Sequence, residues 1–298
     1  MKVMYPKKVA IGVDIGGTKV KAGLVTIDGQ TIGVPESIRT QSHEAGEIII
    51  KRLISLIQRM IQQTKGMELV GIGIGSTGPL DIDNGIILEC NNLPTLHNYP
   101  LKSKLESTFS LPVRLNNDAN AMILGEAIWG AGKNINSILG ITLGTGLGAA
   151  LIVDRKIIRG ATGSAGEIWL SPYKDGMIED YVSGTAISHL YKEITQKEIT
   201  GEEISKLARE GDVHALKVWE EFTQALAYAL SWAVNITDPE AVIFGGSVMD
   251  SSDIFWNPMV SIFKKHICPQ TAAHIQLKPS GLKDNAGFMG AAALIFIE

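Results

Sequence analysis

The sequence predicts an α/β protein built as two duplicated lobes, and three observations predict it. Glu44–Thr64 carries Ile50, Leu53, Ile54, Ile57 and Ile61 at helical spacing and leads into the apolar run Leu69–Ile74, the pattern of a helix laid beside a buried strand. A glycine-turned hairpin at Val9–Ile27 recurs at Ile138–Val153. The two copies align without a gap, Gly12-Val-Asp-Ile-Gly-Gly-Thr18 on Gly140-Ile-Thr-Leu-Gly-Thr-Gly146, at a period far too long for a solenoid.

Taken in order, Val9–Val13 reads as a strand, Gly16-Gly17 as its turn, Val20–Ile27 as the returning strand and Asp28-Gly29 as a second hairpin turn. The short run Leu111–Leu115 precedes a helix through Ile123 and Glu126. Asn134–Val153 is uncharged and long enough to span a bilayer, but Asn136, Ser137, Thr142, Thr145 and four glycines make it strand, turn and strand. Val213–Ile236 predicts a helix capped by Asp212, with Leu216, Trp219, Phe222, Leu226 and Leu230 as its apolar stripe and outward Trp and Tyr residues suited to a dimer face. Ala241–Phe244 is a strand ending in Gly245-Gly246, and Ala286–Phe296 is a closing helix. The lobes are expected at residues 1–117 plus 283–298, the smaller, and 118–282, the larger, with the site in the cleft between them.

Composition narrows the function. With 298 residues, 45% hydrophobic and 19% charged, the chain can bury a full core. Its 27 Lys+Arg against 31 Asp+Glu give a net charge of -4, and no Lys/Arg run exceeds two, which argues against nucleic acid, a polyphosphate groove and a cationic membrane surface. Cys90 and Cys268 are too few for a disulfide framework or a multi-cysteine zinc site and read as inert thiols of a reducing compartment. The first residues meet Asp14 and two glycines before any long apolar stretch, unlike a secretory signal, so a cytoplasmic protein is expected.

Three glycine turns, Asp14–Lys19, Gly144–Gly148 and Gly245–Ser247, let backbone N–H groups approach a phosphate closely. No GxxxxGK[ST] occurs, and the GxGxxG match at Gly73–Gly78 runs into Pro79 where a dinucleotide fold needs a helix. Leu115-Asn-Asn-Asp-Ala-Asn-Ala121 puts three amides and one acid at a strand end before a helix. Asp118 there suits either a general base or a helix cap, and spacing alone favours the cap.

Gly12-Val-Asp-Ile-Gly-Gly-Thr-Lys19, Gly78-Pro79, Asn117-Asp-Ala-Asn-Ala121, Leu143-Gly-Thr-Gly-Leu-Gly148, Gly163-Ser-Ala-Gly-Glu167 and Phe244-Gly-Gly246, in this order, resemble the ROK family of sugar kinases and regulators, part of the actin-like ATPase (ribonuclease H-like) superfamily. The resemblance implies two actin-like lobes with ATP and Mg²⁺ in the interlobe cleft, and transfer of the γ-phosphate to the primary (6-) hydroxyl of a hexose, amino sugar or glucoside. It makes Asp118 the catalytic base and has Asp14 orient Mg²⁺ through water. Gly16, Gly17, Thr18 and Lys19, with Gly144, Thr145 and Gly146, would hold the phosphates, and Gly245 and Gly246 would lie beside the adenosine. Gly78, Pro79, Asn92, Asn117, Asp118, Glu167 and Glu179 would bind the sugar. A homodimer is implied by analogy. The family's regulators carry a DNA-binding domain before the first hairpin, where this sequence has eight residues, so a kinase is expected ahead of a sugar-responsive regulator or a non-catalytic sugar-binding protein.

Two departures from the family pattern stand out. No cysteine lies between Glu167 and Glu179, so the family's zinc loop is excised and no structural zinc is expected. Leu170 occupies the position of a sugar-contacting histidine, and Thr95-Leu96 replaces the usual Gly-Trp after Asn92-Leu-Pro94. Both changes remove polar contacts or make room for a substituent, away from plain glucose.

Overall fold

The computed structural model describes residues 6–297. The chain begins with β1 (Lys8–Ile15), β2 (Lys19–Thr26), β3 (Thr31–Arg39), α1 (Gly46–Gln62) and β4 (Glu68–Ser76). The short strands β5 (Leu80–Asp81) and β6 (Ile86–Ile87) follow, then α2 (Leu101–Phe109), β7 (Val113–Asn117) and α3 (Asp118–Trp129). Next come β8 (Ser137–Leu143), β9 (Leu147–Val153), β10 (Lys156–Ile157), the small pair β11 (Pro172–Tyr173) and β12 (Gly176–Met177), α4 (Gly184–Thr195), α5 (Gly201–Arg209) and α6 (Val213–Thr237). The chain closes with β13 (Ala241–Gly245), α7 (Ser252–Lys264), α8 (Pro269–His274), β14 (Gln276–Pro279) and α9 (Ala286–Ile297).

The duplication read from the glycine turns is a duplication of sheet topology. The two five-stranded sheets run β3-β2-β1-β4-β7 and β10-β9-β8-β13-β14. In each, the leading strand (β1 or β8) pairs antiparallel with its successor and parallel with a strand that arrives after a helix (β4 or β13). That strand then pairs parallel with the last one, β7 or β14. The uncharged stretch 134–153 is the β8–β9 hairpin, and among the described residues no helix is long and apolar enough to cross a membrane.

The chain forms two compact units, the first comprising the described residues up to Asn134, Arg155–Gly163 and the residues from Gly281 on, the second Ile135–Asp154 and Ser164–Ser280. The boundary expected at 117/118 does not coincide with this division. Helix α3 stays with the first unit because it crosses α9 at backbone contact, where a Cβ on Gly290 would stand 1.9 Å from the Ala121 carbonyl oxygen. The closing segment returns to the first unit at 281 rather than 283, because the buried carboxylate of Glu126 accepts the Gly281 and Leu282 N–H groups at 3.0 and 2.9 Å.

Each unit owns a core. In the first, α1 buries Ile49, Ile50, Leu53, Leu56, Ile57 and Met60 into a cluster with strands β1, β2 and β4, at about 1.5–3 kcal/mol per large side chain. Helix α9, uncharged between Ala286 and Ile297, is apolar all round and packs on β1 and β4 as well as α3. In the second unit Asp212 caps α6 by accepting from His214 and Ala215 N–H, and Trp219, Phe222, Leu226 and Leu230 are buried as expected. Leu216 is not part of that stripe; it stands 44% exposed, and Ala215 and Val218 fill the core at that turn.

Candidate active site

In the first unit, parallel pairing assembles the expected residues at one end of the sheet. Asp14 lies beside Gly75 and Ile15 beside Ser76, while Gly75 and Ser76 lie beside Asn116 and Asn117. The carboxyl ends of β1, β4 and β7 therefore bring together the Gly16-Gly17-Thr18 turn, Thr77-Gly78-Pro79 and Asn117-Asp118, the edge where open α/β sheets bind ligands. The Gly78–Pro79 bond is cis. Asn92 joins this edge, its amide donating to Thr77 Oγ1 at 3.1 Å while its backbone and Cβ lie against Gly17. The turn itself is braced by Thr40, a residue the sequence reading did not single out. The Thr40 N–H donates to Thr18 O at 2.9 Å, and its buried hydroxyl to Gly16 O at 2.7 Å.

The helix cap expected at Asp118 falls one residue earlier. Asn117 is the cap of α3, its side-chain oxygen accepting from Ala119 and Asn120 N–H at 2.9 and 3.3 Å. Asp118 is the first helical residue, and its Oδ1 accepts from Ala119 N–H at 2.8 Å, which fixes the carboxylate at the positive end of the helix. Behind it the amides of Asn116 and Asn120 form a buried bond of 3.1 Å.

Asp14 carries an electrostatic load. Burial, then the charge of Asp118, push its carboxyl up to about 7 against the opposing pull of Lys19 and Lys21. Its Oδ2 rests on α9, where a Cβ on Gly287 would come within 2.3 Å. Lys21 Nζ bonds Asp284 O and Asn285 Oδ1 at 2.8 and 3.0 Å, and burial, then Lys19, hold its ammonium below the ordinary lysine value. Two mutually repelling carboxylates form a donor set that suits a hard divalent cation keeping most of its own waters. No group of three metal-ligating side chains occurs among the described residues.

The second unit gathers the remaining turns. Gly144 N–H closes the β8–β9 turn on Gly146 O at 3.0 Å, and the start of α4 braces it: Gly184 N–H donates to Gly144 O at 2.7 Å and Thr185 Oγ1 to Thr145 O at 2.8 Å. Glu179 lies against this turn, its Oε2 accepting from Leu147 N–H at 2.7 Å. A Cβ at 146 would stand 2.4 Å from Glu179 Oε2, so any larger residue there must displace that carboxylate. Gly245 ends β13 beside Thr142 of β8, and Gly246, at φ +91°, would press a Cβ to 2.2 Å of Leu143 O.

Glu167 is exposed, precedes the single turn Ile168–Leu170, and accepts a hydrogen bond from the Trp169 indole N–H. Leu170 is 55% exposed. Between Glu167 and Glu179 the β11–β12 hairpin is held by side chains. Lys174 Nζ sits 5.6 and 5.2 Å from the Tyr173 and Tyr181 rings and pairs with Glu221. Tyr181 donates to Asp175, which pushes its phenol up to about 12.

Comparison with known proteins gives the family. The ROK family model matches residues 10–297. A glucokinase of Thermotoga maritima is 32% identical, over 97% of this chain and 98% of the relative. The crystal structure of a ROK hexokinase from Thermus thermophilus superposes with a TM-score of 0.86 at 27% identity, covering 97% of this chain and 98% of that one. A ROK family glucokinase from Streptomyces griseus, solved with glucose and AMPPNP, is 30% identical with a TM-score of 0.81, over 96% of this chain and 98% of that one. The repeated sheet is thus the duplicated actin-like ATPase fold.

Proposed function

Because the chain belongs to the ROK family, we propose that it is an ATP-dependent sugar kinase transferring the γ-phosphate to the primary (6-) hydroxyl of a hexose, amino sugar or glucoside. The observation that carries the reading is the division of labour at 117 and 118. Asn117 takes the cap, and the Asp118 carboxylate is held at the edge that carries Asp14 and Gly78. Several relatives are named glucokinases and others xylose repressors, and one of the solved structures contains glucose and an ATP analogue.

In this mechanism the sugar hydroxyl gives its proton to Asp118 as its oxygen bonds the γ-phosphorus, and the bond to the bridging oxygen breaks to release ADP. Backbone N–H groups of Gly16–Lys19 and Gly144–Gly146 hold the phosphates, and Gly245-Gly246 flanks the adenosine. Asp14 is the residue that would hold Mg²⁺, through water, and the ion would supply neutralisation of phosphate charge. Asn92 and Asn117, with Gly78 and Pro79, and Glu167 and Glu179 are the residues assigned to the sugar. The Leu147 N–H occupies Glu179 Oε2, and Oε1 is the oxygen this reading offers to a hydroxyl. Exposed Leu170, next to Trp169, favours a sugar with an apolar substituent over free glucose. A homodimer through the outer face of α6, where Trp232 and Ile236 stand 72% and 78% exposed, belongs to the same proposal.

An ADP-release assay over glucose, amino sugars and alkyl and aryl glucosides tests the reading. Turnover with one of these sugars, abolished by Asp118→Asn, is the expected result; turnover that survives the substitution removes the base from the mechanism.

A further inference from the structure

The chain is acidic overall, at net charge -4, and its cations are scattered in sequence. Folding nevertheless gathers Lys102, Arg114, Arg155, Lys156 and Arg159 around one open cavity of about 490 Å³ within the first unit, with Asp83 as the single carboxylate among its described lining residues. The residues come from α2, β7 and the segment after β9, so no Lys/Arg run foretells the cluster. Five cations around one opening repel one another unless an anion joins them.

Two further observations point to a ligand. Arg159 spends one terminal nitrogen on Asp83 at 2.7 Å, and its side chain, which lines the cavity, is 38% exposed to an incoming anion. Asp154 and Arg155 link β9 to β10 with φ of +49° and +62°. A two-residue turn with both φ positive strongly prefers Asn or Asp followed by Gly, and an arginine there sacrifices backbone stability. The side chain it gains by that sacrifice lines the cavity.

We infer that this cavity is a second anion site, separate from the nucleotide and sugar residues, for a phosphate-bearing small molecule about the size of a phosphorylated monosaccharide. Guanidinium groups suit the tetrahedral phosphate by paired hydrogen bonds, and the volume falls in the range of small-molecule sites.

Titration of the full chain with inorganic phosphate and with glucose 6-phosphate, by calorimetry at low ionic strength, tests the site. Saturable binding is expected that the combined variant R114Q/R155Q/K156Q weakens at least tenfold and that Asp118→Asn leaves unchanged. Tighter binding of glucose 6-phosphate than of phosphate assigns a phosphorylated sugar, and equal binding assigns free phosphate. Arg155→Gly supplies an independent reading: it relieves the turn, so thermal stability holds or rises while anion affinity falls several-fold. Absence of saturable binding, or affinity unchanged in both variants, overturns the site.

Discussion

The two glycine hairpins occupy the same place in two sheets of the same order, yet they are equipped differently. At the position where β1 carries Asp14, aligned β8 carries Thr142. The first turn is braced by Thr40 and Asn92, the second by the start of α4 and by Glu179. In both, a threonine hydroxyl donates to a turn carbonyl, Thr40 to Gly16 O and Thr185 to Thr145 O. The two units thus close their turns with the same kind of bond, drawn from different elements. The acids diverged: one unit keeps its carboxylates at strand and helix ends, the other hangs one on a backbone N–H.

The largest expected difference between the units lies in turnover. Asp118→Asn should lower kcat about 10² to 10⁴-fold, whereas Thr142→Val, at the second unit's strand end, should leave kcat within about threefold; steady-state kinetics with the best sugar reads both. A comparable loss from each would mean that the second strand end also takes part in chemistry.

Next in size is a pH effect confined to the first hairpin. Asp14 titrates near 7 when folded, against an ordinary value of 3.8. The folded chain therefore holds a proton that the unfolded chain has lost between these values. The stabilising contribution is complete below about pH 4 and gone above about pH 7, a change of no more than about 4 kcal/mol. Asp14→Asn should remove that slope and be the more stable protein at pH 8 without metal, while Thr142→Val keeps the slope; denaturant melts across pH decide it.

A smaller contrast concerns the turns themselves. Gly146→Ala forces Glu179 off Leu147, so the sugar KM should rise about tenfold, equivalent to about one charge-assisted hydrogen bond, with kcat little changed. Gly17→Ala meets Asn92 at 3.2 Å and should shift KM less. Smallest is the threonine pair: Thr40 is buried and Thr185 exposed. Thr40→Val should cost about 1–2 kcal/mol and Thr185→Val under about 0.5 kcal/mol, because water replaces the lost donor only at the exposed site. Equal costs would place both turns in equally dry surroundings.

How much of this was legible in the sequence follows from how local each cause is. The hairpins, α1 and α6 announce themselves because glycine turns and helical periodicity act within a few residues. Asn117 and Asp118 were visible as a pair, but which one caps depends on one backbone step that spacing does not resolve. The unit boundary escaped because the allegiance of α3 is decided by α9, far along the chain. Glu126 reads as an isolated acid on an apolar helix, and its buried bonds to Gly281 and Leu282 lie 155 and 156 residues away. Glu179 was identified by family pattern, whereas its tie to Leu147 needed the fold. The cationic cavity is the sharpest case, since a search for charge runs is blind to cations drawn from separate segments.

The return of α9 to the first unit has a consequence for the living chain. Gly12 and Gly73 lie directly under α9, their missing Cβ atoms 1.7 and 1.8 Å from its backbone oxygens at Phe288 and Ala291. During synthesis that space stays unfilled until α9 has left the ribosome. The first unit is therefore completed only after the second has been made, and Asp14 acquires its final surroundings with α9.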